Sequence, residues 1–266
     1  MTTLHAAGGI AFDVSGEGES TVLLVHGLGG SKSAWPRVSE PLARSHRVVA
    51  MDLRGSGDSR LGEQPLSFER LAADAIAVLD AVSVGKAHVI GHSLGGVVTQ
   101  QLLVDHPNRV ASAVLVSTSS KVGEKAAEGW LRLADVVEKR GLSDSPSSRT
   151  RAFAEGFAES HPEIVDELGR IAAASDRHGY AAQARIAARY DYTESLESVR
   201  TPCMVIQGLA DRLTSPGGSV ILSRALKDSR LEMIEGVGHN AHIEMGQAFV
   251  DLVREQIGPG SADGSV

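Results

Sequence analysis

Ala87-His88-Val89-Ile90-Gly91-His92-Ser93-Leu94-Gly95-Gly96-Val97-Val98-Thr99-Gln100-Gln101-Leu102-Leu103 is the stretch on which the fold turns. A short apolar run passes directly into a helix-like stretch, and the pentapeptide 91–95 stands at the junction. A strand-to-helix turn this tight leaves no room for side chains two residues either side of its central serine, hence glycine at 91 and 95. The geometry lifts the Ser93 hydroxyl clear of a sheet, as a nucleophile requires. Pentapeptides of this form recur by chance, so the rest of the chain must decide.

Short valine-rich runs alternate with longer helical patterns, the signature of strands and crossover helices in a mostly parallel sheet. The runs are 10–14, 21–26, 47–51, 87–90, 110–117, 203–207 and 230–234. An additional strand near 4–7 is joined to the first of these by Gly8-Gly9, which suits an antiparallel edge hairpin. Residues 68–82 carry helical periodicity, with Leu71, Ala75, Val78, Leu79 and Val82 on one stripe and Asp74 and Asp80 off it. Residues 241–257 read as another helix, with Ile243, Phe249, Leu252 and Val253 apolar.

From 117 to 199 no strand-like run occurs. Residues 130–137, 151–158, 162–174 and 179–189 read instead as short helices, separated by 141–148 and other polar breaks. Such an insertion leaves after one strand, returns before the next and covers one end of the sheet as a cap. The expected organisation is an α/β core over 1–120 and 199–257, a helical cap over 121–198, and a disordered tail over 258–266.

Bulk properties narrow the function. A chain of 266 residues, 42% hydrophobic, can bury one large core. Its net charge of -7 arises from both signs spread along the chain, without a basic cluster to track a phosphate backbone, so no nucleic-acid partner is expected. The one cysteine, Cys203, excludes an internal disulfide and reads as a small buried hydrophobe at a strand start. Residues 1–7 lack a basic segment followed by an apolar core, and no apolar run reaches membrane-spanning length. The expectation is a cytoplasmic protein with no membrane partner, with homo-oligomerisation left open.

A serine hydroxyl is a poor nucleophile at neutral pH and needs a histidine to take its proton and a carboxylate to orient that histidine. Asp211 follows the 203–207 strand in Gln207-Gly208-Leu209-Ala210-Asp211, and His239 follows the 230–234 strand in Gly236-Val237-Gly238-His239. Both lie just past carboxyl ends of strands, as Ser93 does, so all three should gather on the sheet edge where open α/β folds bind ligands.

With these segments in hand, the chain resembles the α/β-hydrolase family over roughly residues 10–257. Five segments match in order: His26-Gly27-Leu28-Gly29-Gly30, Asp52-Leu53-Arg54-Gly55-Ser56-Gly57-Asp58-Ser59, residues 91–95, residues 208–211, and Gly238-His239. The resemblance implies an α/β-hydrolase fold, with a mostly parallel central sheet, flanking helices and an inserted helical cap. It implies Ser93 as nucleophile, His239 as general base and acid, Asp211 as orienting carboxylate, and the backbone N–H groups of Leu28 and Leu94 as oxyanion hole. Some members carry the acid one strand earlier, where this chain reads Ser117-Thr118-Ser119-Ser120 without a carboxylate.

Rival residues have plainer readings. His92 neighbours the serine in a tight turn and points elsewhere. His26 reads as a brace for the oxyanion loop, and His242 falls where the last helix has already begun. The family resemblance implies that the segment of Asp52 and Arg54 is a loop anchor and that Asp191 is a structural aspartate, while Trp35 reads as packing at a helix start. No histidine pair has helical spacing with a third ligand nearby, so no metal or cofactor is expected. Among Trp130, Leu131, Leu133, Phe153, Phe157, Ile164 and Leu168, most pack the insertion and a minority line a pocket over Ser93.

The function expected is cofactor-independent hydrolysis of a small or medium carboxylic ester or lactone through an acyl-enzyme. Within the resemblance the enol-lactonase, cofactor-free haloperoxidase and esterase group is nearest. Cleavage of a thioester or carbon–carbon bond by the same triad remains open, as does a slow-turnover ligand receptor.

Overall fold

Runs of valine and isoleucine become strands here because helices cover both faces of the sheet they form. The structure, a computed structural model, describes residues 3–142 and 150–260. Most of the break expected at 141–148, and the expected tail from 261 onward, lie outside the described residues.

The strands are β1 Leu4–Ala6, β2 Ile10–Ser15, β3 Thr21–Val25, β4 Arg47–Met51, β5 Ala87–His92, β6 Val110–Val116, β7 Cys203–Gly208 and β8 Ser229–Ile234. They form one sheet in the order β1-β2-β4-β3-β5-β6-β7-β8. The expected edge hairpin is present, closed at Ala6 and Ile10, with Gly8 and Gly9 both at positive φ. β2 is antiparallel to β4, and every later pairing is parallel. The chain adds β4 on one side of β3 and then β5 on the other. This reversal opens a crevice past the carboxyl ends of β3 and β5, where doubly wound sheets place their ligands.

Alternation along the strands divides the core. Leu23, Val25, Val49, Val89, Leu115 and Val205 pack with helices Phe68–Ala81 and Leu94–Asp105 on one face. Val22, Leu24, Val48, Ile90, Val114 and Met204 pack with helices Pro36–Leu42 and Gln247–Ile257 on the other. Ser67 caps helix Phe68–Ala81 by accepting the Arg70 N–H. Asp74, placed off that helix's buried stripe by periodicity, is in fact buried: Arg54 donates Nε and Nη2 to its two oxygens at 2.8 and 2.5 Å. A fork from the loop after β4 makes a carboxylate tolerable on the buried face.

Between β6 and β7 run helices Glu124–Arg140, Phe157–Ser160, Pro162–Ala173 and Arg177–Ala187. An isolated bridge between Lys121 and Asp191 draws the two ends of this segment together. The helix expected over 151–158 is largely turns, with a single helical turn at Phe157–Ser160 entered through left-handed Gly156. The helix expected over 241–257 is two, Ala241–Glu244 and Gln247–Ile257, parted at Gly246 with φ 54°. No helix among the described residues is long and apolar enough to cross a membrane.

Candidate active site

Strand β5 runs two residues further than its apolar pattern suggests. Gly91 pairs with Leu115 and His92 with Val116, so the whole reversal falls on Ser93 at φ 52°, ψ -115°. For a residue with a side chain this is a strained conformation, costing on the order of 1–3 kcal/mol and sustained by its surroundings. The Ser93 N–H donates to the Val116 carbonyl at 2.8 Å, while its own carbonyl starts helix Leu94–Asp105 by accepting the Gly96 and Val97 N–H groups. A Cβ on Gly95 would lie 2.1 Å from the Val25 carbonyl oxygen, and one on Gly91 would lie 2.3 Å from Thr99 Oγ1. The elbow therefore requires glycine at both positions.

Asp211 and His239 occupy the loops after β7 and β8. His239 Nδ1 donates to Asp211 Oδ2 at 2.9 Å, which fixes Nε2 as the free acceptor. Gln207 Nε2 donates to the same oxygen at 3.0 Å, and the Leu213 and Thr214 N–H groups donate to Oδ1 at 2.7 and 2.9 Å. Burial alone would raise the Asp211 carboxyl. The hydrogen bond and charge of His239, then Thr214 and Gln207, outweigh it and hold the carboxyl below the usual aspartate value.

His92 ties the serine turn to the histidine loop. Its Nε2 lies 3.0 Å from the His239 carbonyl, which only accepts, so Nε2 carries the proton. Its ring stands 4.9 Å from that of His239 and 4.4 Å from that of His242. Burial, then the charges of His242 and His239, push the His92 pKa well below the usual histidine value, and burial lowers His242 to about 3. Among the described residues no carboxylate pairs with His242, which packs on Trp35 at 4.8 Å, whereas His239 is oriented by Asp211.

Loop 26–30 follows β3 and lies against the elbow: a Cβ on Gly27 would be 3.1 Å from Ser93 Cβ and 3.0 Å from His92 Nδ1. His26 braces it. The Leu53 N–H donates to His26 Nε2 at 3.0 Å, so the proton is on Nδ1, which donates to the Gly27 carbonyl at 2.7 Å. Neither the Leu28 nor the Leu94 N–H meets a protein acceptor among the described residues. Asp52 and Arg54 are not paired with each other. Asp52 accepts the Lys32 N–H at 2.7 Å and Lys32 Nζ at 3.1 Å, and Arg54 is held by Asp74. Asp191 is exposed and accepts the Thr193 N–H at 3.0 Å.

Sequence reasoning passed over Lys32, Gln207 and Glu244. A lysine two residues after the glycines of loop 26–30 was the available signal for the first; buried polar partners of the other two have no local signature.

A cavity of about 270 Å³ adjoins these groups, between loop 27–30 and helix Pro162–Ala173. Ser93 and His239 are not in its wall, but their neighbours Leu28, His92 and Asn240 are. Of the apolar residues singled out in the insertion, Phe153 and Leu168 line it. Trp130 packs on the main core, Phe157 and Ile164 join Phe153 in a small cluster with Val165 and Ile243, and Leu131 is exposed.

Residues 20–151 match the α/β hydrolase fold family. The chain is 31% identical over 229 residues to 3-oxoadipate enol-lactonase 2 of Acinetobacter baylyi, covering 86% of this chain and 85% of that one. Among solved structures it superposes on the enol-lactonase from Burkholderia xenovorans with a TM-score of 0.89 at 24% identity, over 96% of this chain and 98% of the other. It also superposes on a thermophilic esterase from Thermogutta terrifontis, with a TM-score of 0.87 at 25% identity over 96% of each. Sheet order, elbow and these likenesses agree, and the chain belongs to the α/β-hydrolase family.

Proposed function

We propose that this chain is a serine hydrolase of small or medium carboxylic esters or lactones, with Ser93 as nucleophile, His239 as base and acid, and Asp211 as orienting carboxylate. The observation that carries the reading is the buried Asp211–His239 pair, tied through His92 to the strained turn that presents Ser93. The named activity of the Acinetobacter relative, an enol-lactonase, and of the Thermogutta esterase supports acyl-oxygen cleavage as the reaction.

In this reading Ser93 Oγ bonds to the substrate carbonyl carbon as His239 Nε2 takes the hydroxyl proton. The carbonyl π electrons move to oxygen, and the N–H groups of Leu28 and Leu94 hold that oxyanion. Collapse breaks the acyl–oxygen bond, and the leaving oxygen takes the proton from His239. A lactone keeps its leaving group tethered to the acyl chain. Water, deprotonated by His239, then attacks the acyl-enzyme and releases the acid and Ser93. Asp211 stays ionised throughout and stabilises the imidazolium. The segment 121–198 acts as a substrate-selecting cap on a core of 1–120 and 199–257. The partner is a small acyl compound, and the setting is the cytoplasm, in keeping with the lone buried Cys203.

Ser93→Ala is expected to lower kcat for a p-nitrophenyl ester by roughly 10⁴- to 10⁶-fold. A serine-reactive phosphonate is expected to add one mass increment on Ser93 by peptide mass spectrometry. Near-normal turnover by the variant would overturn the assignment, and a stoichiometric burst without a steady state would favour a receptor.

A further inference from the structure

Glu244 lies five residues after His239, at the end of the short helix Ala241–Glu244, and nothing in the chemistry above uses it. Its Oε2 accepts two backbone N–H groups, each at 2.9 Å: one from Gly238, directly before His239, and one from Ala154 in the segment between β6 and β7. The clasp is closed from the other side. The N–H groups of His239 and Asn240 donate to the Ala152 carbonyl at 3.0 and 3.2 Å.

The fit at Gly238 is close. A Cβ there would stand 2.5 Å from the Ala154 nitrogen and 2.6 Å from the Phe153 carbonyl carbon. The glycine before the histidine is thus required by a turn of the insertion passing over it. Phe153, between the two clasped residues, is both in the cavity wall and packed on Ile243.

We infer that Glu244 is a positioning residue for His239: one carboxylate oxygen joins the histidine loop to the inserted segment at Ala154, so the base is placed by the same contact that seats the cavity wall. The inference rests on His239 being the base. Acceptors that fix two N–H groups on either side of the loop restrain its backbone, and a displacement of about 1 Å at a reacting group costs on the order of 10²-fold in rate. Gln retains a carbonyl oxygen able to accept both N–H groups, whereas Ala retains none.

The test compares E244A, E244Q and H239A with the parent protein, measuring kcat and KM for a p-nitrophenyl ester alongside the thermal midpoint. E244A is expected to lower kcat roughly 10- to 100-fold with KM changed far less. E244Q is expected to restore most of that loss, and phosphonylation of Ser93 is expected to slow in parallel in E244A. A purely structural role predicts a lower midpoint with kcat per folded molecule unchanged; that result, or an effect confined to KM, overturns the inference. If E244A does not fold, E244D carries the same comparison, because it withdraws the carboxylate by one methylene while keeping its charge. Full activity in H239A would instead sink the underlying functional reading.

Discussion

A serine held at φ 52° between two glycines stores strain that its neighbours must sustain. Gly95 is the stricter of the two, since its missing Cβ would overlap the carbonyl oxygen of Val25 in the adjacent strand. Gly95→Ala is therefore expected to cost about 3 kcal/mol, the upper range for overpacking a rigid site, measured by urea denaturation. Asp211 sets an acid limit. Its folded pKa is below the unfolded value, so its contribution to stability is complete above the ordinary aspartate range and is lost as pH falls through the lowered folded value. Asp211→Asn is expected to flatten that part of the acid limb in a series of denaturation curves. The variant is also expected to lose most of its turnover, because an amide cannot stabilise the imidazolium.

At the scale of elements, the loop after β3 is fastened to the loop after β4 by His26 to Leu53 and by Lys32 to Asp52. The Lys32 and Asp52 side chains are 6% and 0% exposed, and Asp58 gives Lys32 a second partner at 2.6 Å. Burial would lower the Lys32 ammonium, but Asp58 and Asp52 more than offset it and hold it above the ordinary lysine value. Lys32→Met leaves buried Asp52 without its countercharge, with only the backbone N–H groups of residues 32 and 58 still donating to it, and the expected loss is about 3 kcal/mol in denaturant unfolding. Because Lys32 sits just beyond Gly29 and Gly30, the Leu28 N–H proposed for the oxyanion hole should lose its placement too. The ratio of kcat in K32M to that of the parent, at a temperature where both are folded, reads this directly.

Across the whole molecule, the reversal of strand order at β3 brings loop 26–30 beside the Ser93 turn, while β7 and β8 deliver Asp211 and His239 from the other side. The segment between β6 and β7 then closes over this edge and supplies Phe153 and Leu168 to the cavity wall. Filling that space is expected to act on chain length. Leu168→Trp should lower kcat/KM for a hexanoyl ester on the order of 10-fold or more relative to an acetyl ester, the discrimination a few methylenes provide in an apolar pocket. Equal effects on both esters would place the acyl chain elsewhere.

The strands, the elbow and the order Ser93, Asp211, His239 are legible in the chain because each depends on local chemistry. Alternation of apolar runs follows from the pleat, and glycine at 91 and 95 follows from a turn spanning a few residues. The break at Gly246, the turns at 151–156, and the burial of Asp74 and Lys32 are not legible in this way. The two burials are decided by partners 20 residues along the chain: Arg54 for Asp74, Asp52 for Lys32. The same holds for Glu244, whose two N–H partners lie 6 and 90 residues away. Sequence by itself determined which residues are candidates for the chemistry, and at which ends of which strands they stand. Tertiary structure alone decided how they are held, because hydrogen bonds and desolvation act between atoms brought together only by the fold.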